Sequence, residues 1–187
     1  MPRREIPLPW RSFLQEVDQS LTAELHFHCI GGFVITQLYG LARQTADVDV
    51  IAVASSSPRP PVLELAVKGA PLHKKYGVYF DFVSIVNVPD DYEQRFAEMF
   101  PGTLRRIRLL ALDPYDLALS KLERNIQRDR DDVKYLARTI PLDLDLLRRR
   151  YEAEMRPYLA NVARHDLTLK LWMEAISEER QQKRPET

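Results

Sequence analysis

Between residues 27 and 54 the chain passes from a short apolar segment into two adjacent glycines. It continues through a short helical stretch into a second apolar segment that opens on two aspartates. Phe27 to Ile30 ends at Gly31-Gly32, which predicts a strand closed by a tight turn. Phe33 to Tyr39 predicts a short helix, with Gly40 at its left-handed C-terminal position. Val48 to Ala54 predicts a strong strand, and Ser55-Ser56-Ser57-Pro58-Arg59-Pro60-Pro61 predicts a loop after it. Strand, turn, helix and strand in this order confine the segment to a sheet with helices packed on it, the α/β pattern.

The flanking segments extend that pattern. Phe13, Leu14, Val17, Leu21 and Leu25 recur at three- and four-residue intervals, which predicts an amphipathic helix over 10–25. Val62 to Lys75 predicts a helix that Pro71 interrupts or restarts and Gly77 ends. Val78 to Val86 and Arg105 to Leu112 predict two further strands. At Leu112-Asp113-Pro114-Tyr115-Asp116 the character changes to a helix start, with Asp113 as N-cap, Pro114 at the first helical position and Asp116 as the third-position acid. Helix formers dominate from there, broken near Arg128–Asp132, Pro141 and Pro157, and the tail from about Glu178 is expected to fray. The expected organisation is an α/β (α+β) core over residues 1–112, a mixed sheet of four or five strands flanked by helices. A helical C-terminal part follows over 113–187.

The chemistry sits in the first of these halves. Gly31 and Gly32 have no Cβ, so the backbone there can turn sharply and approach a ligand closely. The helix that follows offers free amides and a positive dipole end to phosphate oxygens. Asp47 and Asp49 are two apart on a strand and therefore face the same side of the sheet. Two hard carboxylates on one edge suit Mg²⁺, which takes a few carboxylates together with water and phosphate oxygens.

Ile30-Gly31-Gly32, a spacer, and Asp47-Val48-Asp49 flanked by apolar residues resemble the signature of the nucleotidyltransferase superfamily, the DNA polymerase β-like fold. The spacer is slightly long for the strictest version. The resemblance implies a third carboxylate on a later, adjacent strand, for which Asp81 in Tyr79-Phe80-Asp81-Phe82-Val83 is the candidate; alternatively Asp81 only marks an exposed strand face. Glu64 competes but falls in a segment read as helical. In that superfamily the three acids hold two divalent ions, Mg²⁺ or Mn²⁺, which neutralise the triphosphate and activate an acceptor hydroxyl for in-line attack on the α-phosphorus. Arg43 and Thr45 fit the Arg-x-Thr-x-Asp-x-Asp form of several minimal members. That form implies an Arg43 facing phosphate, against its plain reading as a loop arginine.

A second resemblance concerns Leu117-Ala118-Leu119-Ser120-Lys121-Leu122 followed by Arg128-Asp129-Arg130-Asp131-Asp132. It looks like small bacterial nucleotidyltransferase-like proteins of the abortive-infection toxin type and their uncharacterised relatives. It implies Lys121 as a phosphate ligand, with Arg128 and Asp129 or Asp132 as secondary site residues. Read from the residues alone, Lys121, Arg124, Asn125, Arg128 and Asp132 share one face if the helix is continuous. In the alternative, Asp129 caps a new helix with Asp132 as its third-position acid. A solvated, ion-paired face accounts for the same charges.

Composition bounds the rest. Twenty-seven basic and 27 acidic residues cancel, which argues against nucleic-acid binding by bulk charge while leaving room for local patches at Arg105, Arg106 and Arg108 or Arg148-Arg149-Arg150. Cys29 is the only cysteine, and no secretory leader or roughly 20-residue apolar span is evident, so a cytoplasmic, non-membrane protein is expected. No metal role is expected for His26 or His28, and His73 and His165 read as surface residues. The expected activity is Mg²⁺-dependent transfer of a nucleoside monophosphate from an NTP to a hydroxyl on a small molecule, RNA or protein. Two rivals stand beside it, a catalytically silent member of the fold and a toxin held by an antitoxin partner.

Overall fold

The computed structural model describes residues 5–54 and 61–182; the expected loop at 55–60 lies outside them. The chain divides into two compact units, Met1–Val86 with Arg95–Asp113, and Asn87–Gln94 with Pro114–Thr187.

The first unit is a five-stranded mixed sheet with helices. In chain order its elements are α1 (Trp10–Ser20), β1 (Leu25–Ile30), α2 (Gly31–Gln37), β2 (Asp47–Ala54), α3 (Pro71–Tyr76), β3 (Tyr79–Phe82), β4 (Ala97–Met99) and β5 (Ile107–Ala111). The strand order is β3-β2-β1-β5-β4. β1 runs antiparallel to β2 and parallel to β5, β3 runs parallel to β2, and β4 runs antiparallel to β5. Apolar side chains from helix and sheet meet in the core. Phe27 stacks on Phe80 with ring centres 5.0 Å apart, Phe13 packs on Phe80, and Trp10 meets Phe33 edge-on at 4.7 Å. Aromatic pairs of this kind dominate core energetics through the area they bury.

Several boundaries differ from the sequence reading. α1 stops at Ser20 and Leu25 already begins β1; the apolar period runs through because Leu21 and Leu25 are both buried. The expected helix over 62–75 is a 3₁₀ turn, Pro61–Leu65, followed by α3, whose first helical residue is Pro71. A proline fits that position because its missing N–H would be unpaired there. Gly77 ends α3 with φ 73°. The expected strand over 78–86 shrinks to four residues, and β4, only three residues of mixed character, had no legible pattern.

Asp18 is an anchor the sequence did not advertise. It is buried, and its carboxylate accepts the backbone N–H groups of Arg105 (3.0 Å), Arg106 (2.7 Å) and Ile107 (2.8 Å). It thereby satisfies the segment that enters β5. Asp18→Ala removes the acceptor and leaves the buried Ile107 N–H and the partly buried Arg105 and Arg106 N–H groups unpaired, so it should cost about 3 kcal/mol of unfolding free energy, read from the shift of a urea denaturation midpoint. A loss under about 0.5 kcal/mol, the scale of ordinary surface changes, would refute the anchor.

The second unit is helical: α4 (Pro114–Leu119), α5 (Gln127–Thr139), α6 (Leu144–Arg150), a π-helical turn (Tyr151–Met155), a 3₁₀ turn (Arg156–Tyr158) and α7 (Val162–Gln182). Its core gathers Leu122, Val133, Leu147, Tyr151, Trp172 and Ile176 among others. The helix after Pro114 is not continuous. It ends at Leu119, and Asn125 takes a left-handed φ of 45° before α5 begins. Asp129 is not the N-cap of the new helix but its third residue, and its carboxylate accepts the backbone N–H of Ile126, the capping residue. Asp116 is buried and takes a bond from Arg150 at 3.0 Å. The tail does not fray at Glu178: α7 runs on to Gln182, held by a two-pronged bond from Arg138 to Glu179 and one from Arg180 to the Leu142 carbonyl. His165 is not a surface residue; it is 1% exposed, with its ring nitrogens 2.7 Å from the Asn161 carbonyl and 2.7 Å from the Glu123 carboxylate. No described helix is long and apolar enough to cross a membrane.

Candidate metal centre

β2 opens with the acids because its other face is needed for the core. Val48 and Val50 are buried while Asp47 and Asp49 between them are only partly covered. This is the period-two alternation of a strand with one packed face. β3 lies parallel to β2 in a register that sets Asp47 beside Tyr79 and Asp49 beside Asp81. Residues paired across strands put their side chains on the same face a few ångströms apart. Ligand oxygens of Asp47, Asp49 and Asp81 accordingly all lie within 4.8 Å of one another. Among the described residues this is the group of three or more metal-ligating side chains so placed.

Neighbouring residues shape these carboxylates. On the other side of β2, Asp49 pairs with Ile30, the last residue of β1. Gly31 follows at φ 76°, and a Cβ built on it would stand 1.8 Å from the Asp49 carboxylate oxygen Oδ2 and 2.8 Å from its Cγ. Only glycine allows both the backbone angle and that approach. Gly32 sits beside it as the second residue of α2 without a positive φ. The Thr45 hydroxyl donates to Asp47 Oδ1 at 2.7 Å. Thr45, a nucleotide-contact candidate in the sequence, is thus placed on the carboxylate itself. Arg43 is half-buried in the loop two residues earlier.

The acids also mark their surroundings. Burial, and then the charge of Asp49, pushes the Cys29 thiol far above its ordinary range. Burial, and then Asp47, pushes the Tyr79 phenol upward. Cys29 therefore stays a protonated, buried thiol, and the donor set is oxygen only. Three carboxylates without nitrogen or sulfur suit a hard divalent ion such as Mg²⁺ or Mn²⁺ rather than zinc. Glu64 lies in the 3₁₀ turn and is exposed.

The residues of the second block gather with one another inside the helical unit. Lys121 is 6% exposed; its ammonium lies 2.9 Å from Asp132 Oδ2 and 3.5 Å from Asp129 Oδ1. Arg124 donates twice to Asp129, at 2.8 and 2.7 Å. Arg128 is exposed. Within the arginine clusters, Arg108 pairs with Glu24 at 2.9 Å, Arg148 with Asp145 and Arg150 with Asp116.

A family model described as "Nucleotidyltransferase of unknown function (DUF6036)" matches residues 12–180. The chain belongs to that family. No curated protein and no solved structure matches it. The match runs through both units of this nucleotidyltransferase-family chain, so the helical unit is part of what the family shares. The glycine turn, Asp47, Asp49 and Asp81 all fall inside the matched span.

Proposed function

We propose that this chain transfers a nucleoside monophosphate from an NTP to a hydroxyl acceptor, with Asp47, Asp49 and Asp81 holding Mg²⁺ or Mn²⁺. The observation that carries the reading is the approach of three carboxylate oxygens to within 4.8 Å on neighbouring parallel strands. Like charges this close repel strongly unless a cation lies among them. Divalent ions bound there supply neutralisation of the triphosphate and activation of the acceptor hydroxyl.

The chain's own residues divide the remaining work. Thr45 fixes the orientation of Asp47 through its hydroxyl. Gly31 leaves the space in which the Asp49 carboxylate lies against the backbone. Asp81, the most exposed of the three, is the acid to which the acceptor hydroxyl gives up its proton. Gly32 and Arg43 serve the phosphates. Lys121, Asp129 and Asp132 keep the helical unit folded.

Calorimetric titration of each NTP, with Mg²⁺, with Mn²⁺ and with a chelator, tests the reading directly. Wild type should bind at least one NTP in a metal-dependent manner. Asp47→Asn/Asp49→Asn should weaken that binding tenfold or more, about 1.4 kcal/mol per decade, while melting like wild type. Absence of metal-dependent NTP binding in the wild type would sink the proposal and leave a silent member of the fold.

A further inference from the structure

A groove of about 1130 Å³ runs along the helical unit. One wall is α6 with the π-helical turn after it, and the other is α7. Arg156 bonds Asp166 at one end, and Arg180 bonds the Leu142 carbonyl at the other, so the walls are antiparallel. From Leu144 to Arg156 the first wall spans roughly 18 Å, a little over three helical turns. The groove exceeds the ~300–1,000 Å³ of a small-ligand pocket. Its length suits a segment of polypeptide instead.

The rims of the groove carry a sign. Five acidic side chains line it against three basic ones, in a chain whose formal charge is zero. All three cations are engaged: Arg148 with Asp145 at 3.5 Å, Arg156 with Asp166 at 3.0 Å and Lys170 with Glu174 at 3.8 Å. Glu152 and Glu178 are exposed, and neither makes an ion pair or hydrogen bond among the described residues. They stand on opposite walls. Glu152 follows Tyr151, whose hydroxyl donates to Asp166, whereas Glu178 lies ~18 Å beyond Asp166 along α7. The surplus of acid is thus placed toward both ends of the groove. Between them Leu144, Leu169 and Met173 supply apolar contact. Leu169 and Met173 are held from behind by the core they also belong to, and a methionine adapts readily to the shape of a partner.

We infer that this groove docks an amphipathic helix of a partner protein, apolar along its middle and basic near both ends. Its apolar side chains, three and four residues apart, meet Leu144, Leu169 and Met173, the mode by which a groove takes a helix. Lys or Arg at its ends meets Glu152 and Glu178. Exposed ion pairs add little affinity singly, so these charges set the choice and direction of the helix while the apolar contacts hold it. The same surplus of acid disfavours the other occupants. A nucleic acid brings phosphates of like sign. A second copy seated groove to groove brings its own acids against these, because a twofold contact sets the same patch on both sides.

The probe is a fluorescent synthetic helix of about four turns, with leucines three and four residues apart and a pair of lysines near each end. It is titrated into the whole chain and followed by anisotropy and by the methyl resonances of the protein. Binding should saturate, and the methyls of Leu169 and Met173 should shift as it does. A peptide with glutamate in place of every lysine should bind tenfold or more weakly. The Glu152→Lys/Glu178→Lys protein should lose the lysine peptide by a similar factor while melting like wild type, since neither acid makes a bond in the fold. Absence of saturable binding, equal binding of the two peptides, full affinity in the charge-reversed protein, or methyl shifts confined to other residues would each overturn the inference. Self-association of the free protein that moves the Leu169 and Met173 methyls would give the groove to a second copy and overturn it as well.

Discussion

Gly31→Ala is expected to abolish metal-dependent nucleotide binding and any transfer activity, the largest functional effect of a single methyl group in this chain. Two independent costs arise at one position. The backbone of Gly31 is left-handed at φ 76°, which costs an L-residue about 1–2 kcal/mol. The added Cβ would also stand 1.8 Å from Asp49 Oδ2, so the carboxylate must rotate away. A displacement of about 1 Å at a reacting centre can cost about 100-fold in rate, and the shift imposed here falls on a ligand of the proposed ions. Calorimetry with Mg²⁺ and each NTP, together with a thermal melt, separates the two costs. The melt should fall by a few degrees while binding disappears. Gly32→Ala is the internal control: that backbone carries no positive φ, and its effect should be much smaller. Equal metal-dependent binding by Gly31→Ala and wild type would refute the role given to Asp49.

Lys121→Met should destabilise the helical unit by about 3–5 kcal/mol, the usual cost of removing one partner of a buried ion pair. The ammonium is nearly inaccessible, and the carboxylate of Asp132 beside it is 1% exposed. Without Lys121, Asp132 keeps a buried charge and loses the cation 2.9 Å away. Asp129 fares better because Arg124 still donates to it twice. Urea denaturation followed by far-ultraviolet circular dichroism reads the loss, and Lys121→Met/Asp132→Leu should recover part of it, since neither charge then remains. A Lys121→Met protein as stable as wild type but unable to bind NTP would return Lys121 to the phosphate role that its sequence resemblance implies.

Acid should weaken the same cluster. Burial alone would push the Asp129 carboxyl upward, but the hydrogen bond from Arg124 and the charge of Lys121 outweigh it and hold the group below its ordinary value. A carboxyl depressed in the folded state contributes stability that is complete above its unfolded value of about 3.8. That contribution is lost as pH falls through the lower, folded value. Urea midpoints should therefore decline as pH is lowered below about 4 and stay level with respect to this group above it. In Asp129→Asn that part of the decline should vanish.

β2 and β5 were legible because they alternate buried and partly covered residues. Asp47-Val48-Asp49-Val50 announces a strand with one wet and one packed face, and the glycine pair before it announces the turn. The short 3₁₀ and π-helical turns and the three residues of β4 had no such pattern, because they are stabilised by the elements they join rather than by a repeat of their own. The burial of His165 escapes local sequence pattern for a related reason. A histidine's burial depends on partners distant in sequence, here Glu123, 42 positions away. The excursion of Asn87–Gln94 into the helical unit is likewise made by tertiary bonds, Asp90 N–H to the Glu154 carbonyl and Asn87 to Glu123.

The sequence by itself determined that two carboxylates share a sheet face, since the pleat of a strand leaves residues two apart no other choice. It also determined that a glycine turn precedes them and that helices follow residue 113. Only the tertiary structure decided that Asp81 stands beside Asp49, because strand register depends on how the whole core packs. Only it showed that Gly31 is closed against Asp49 and that Lys121 turns into a cluster of acids. Each of those facts is a distance between residues far apart along the chain, and local propensity holds no information about such distances.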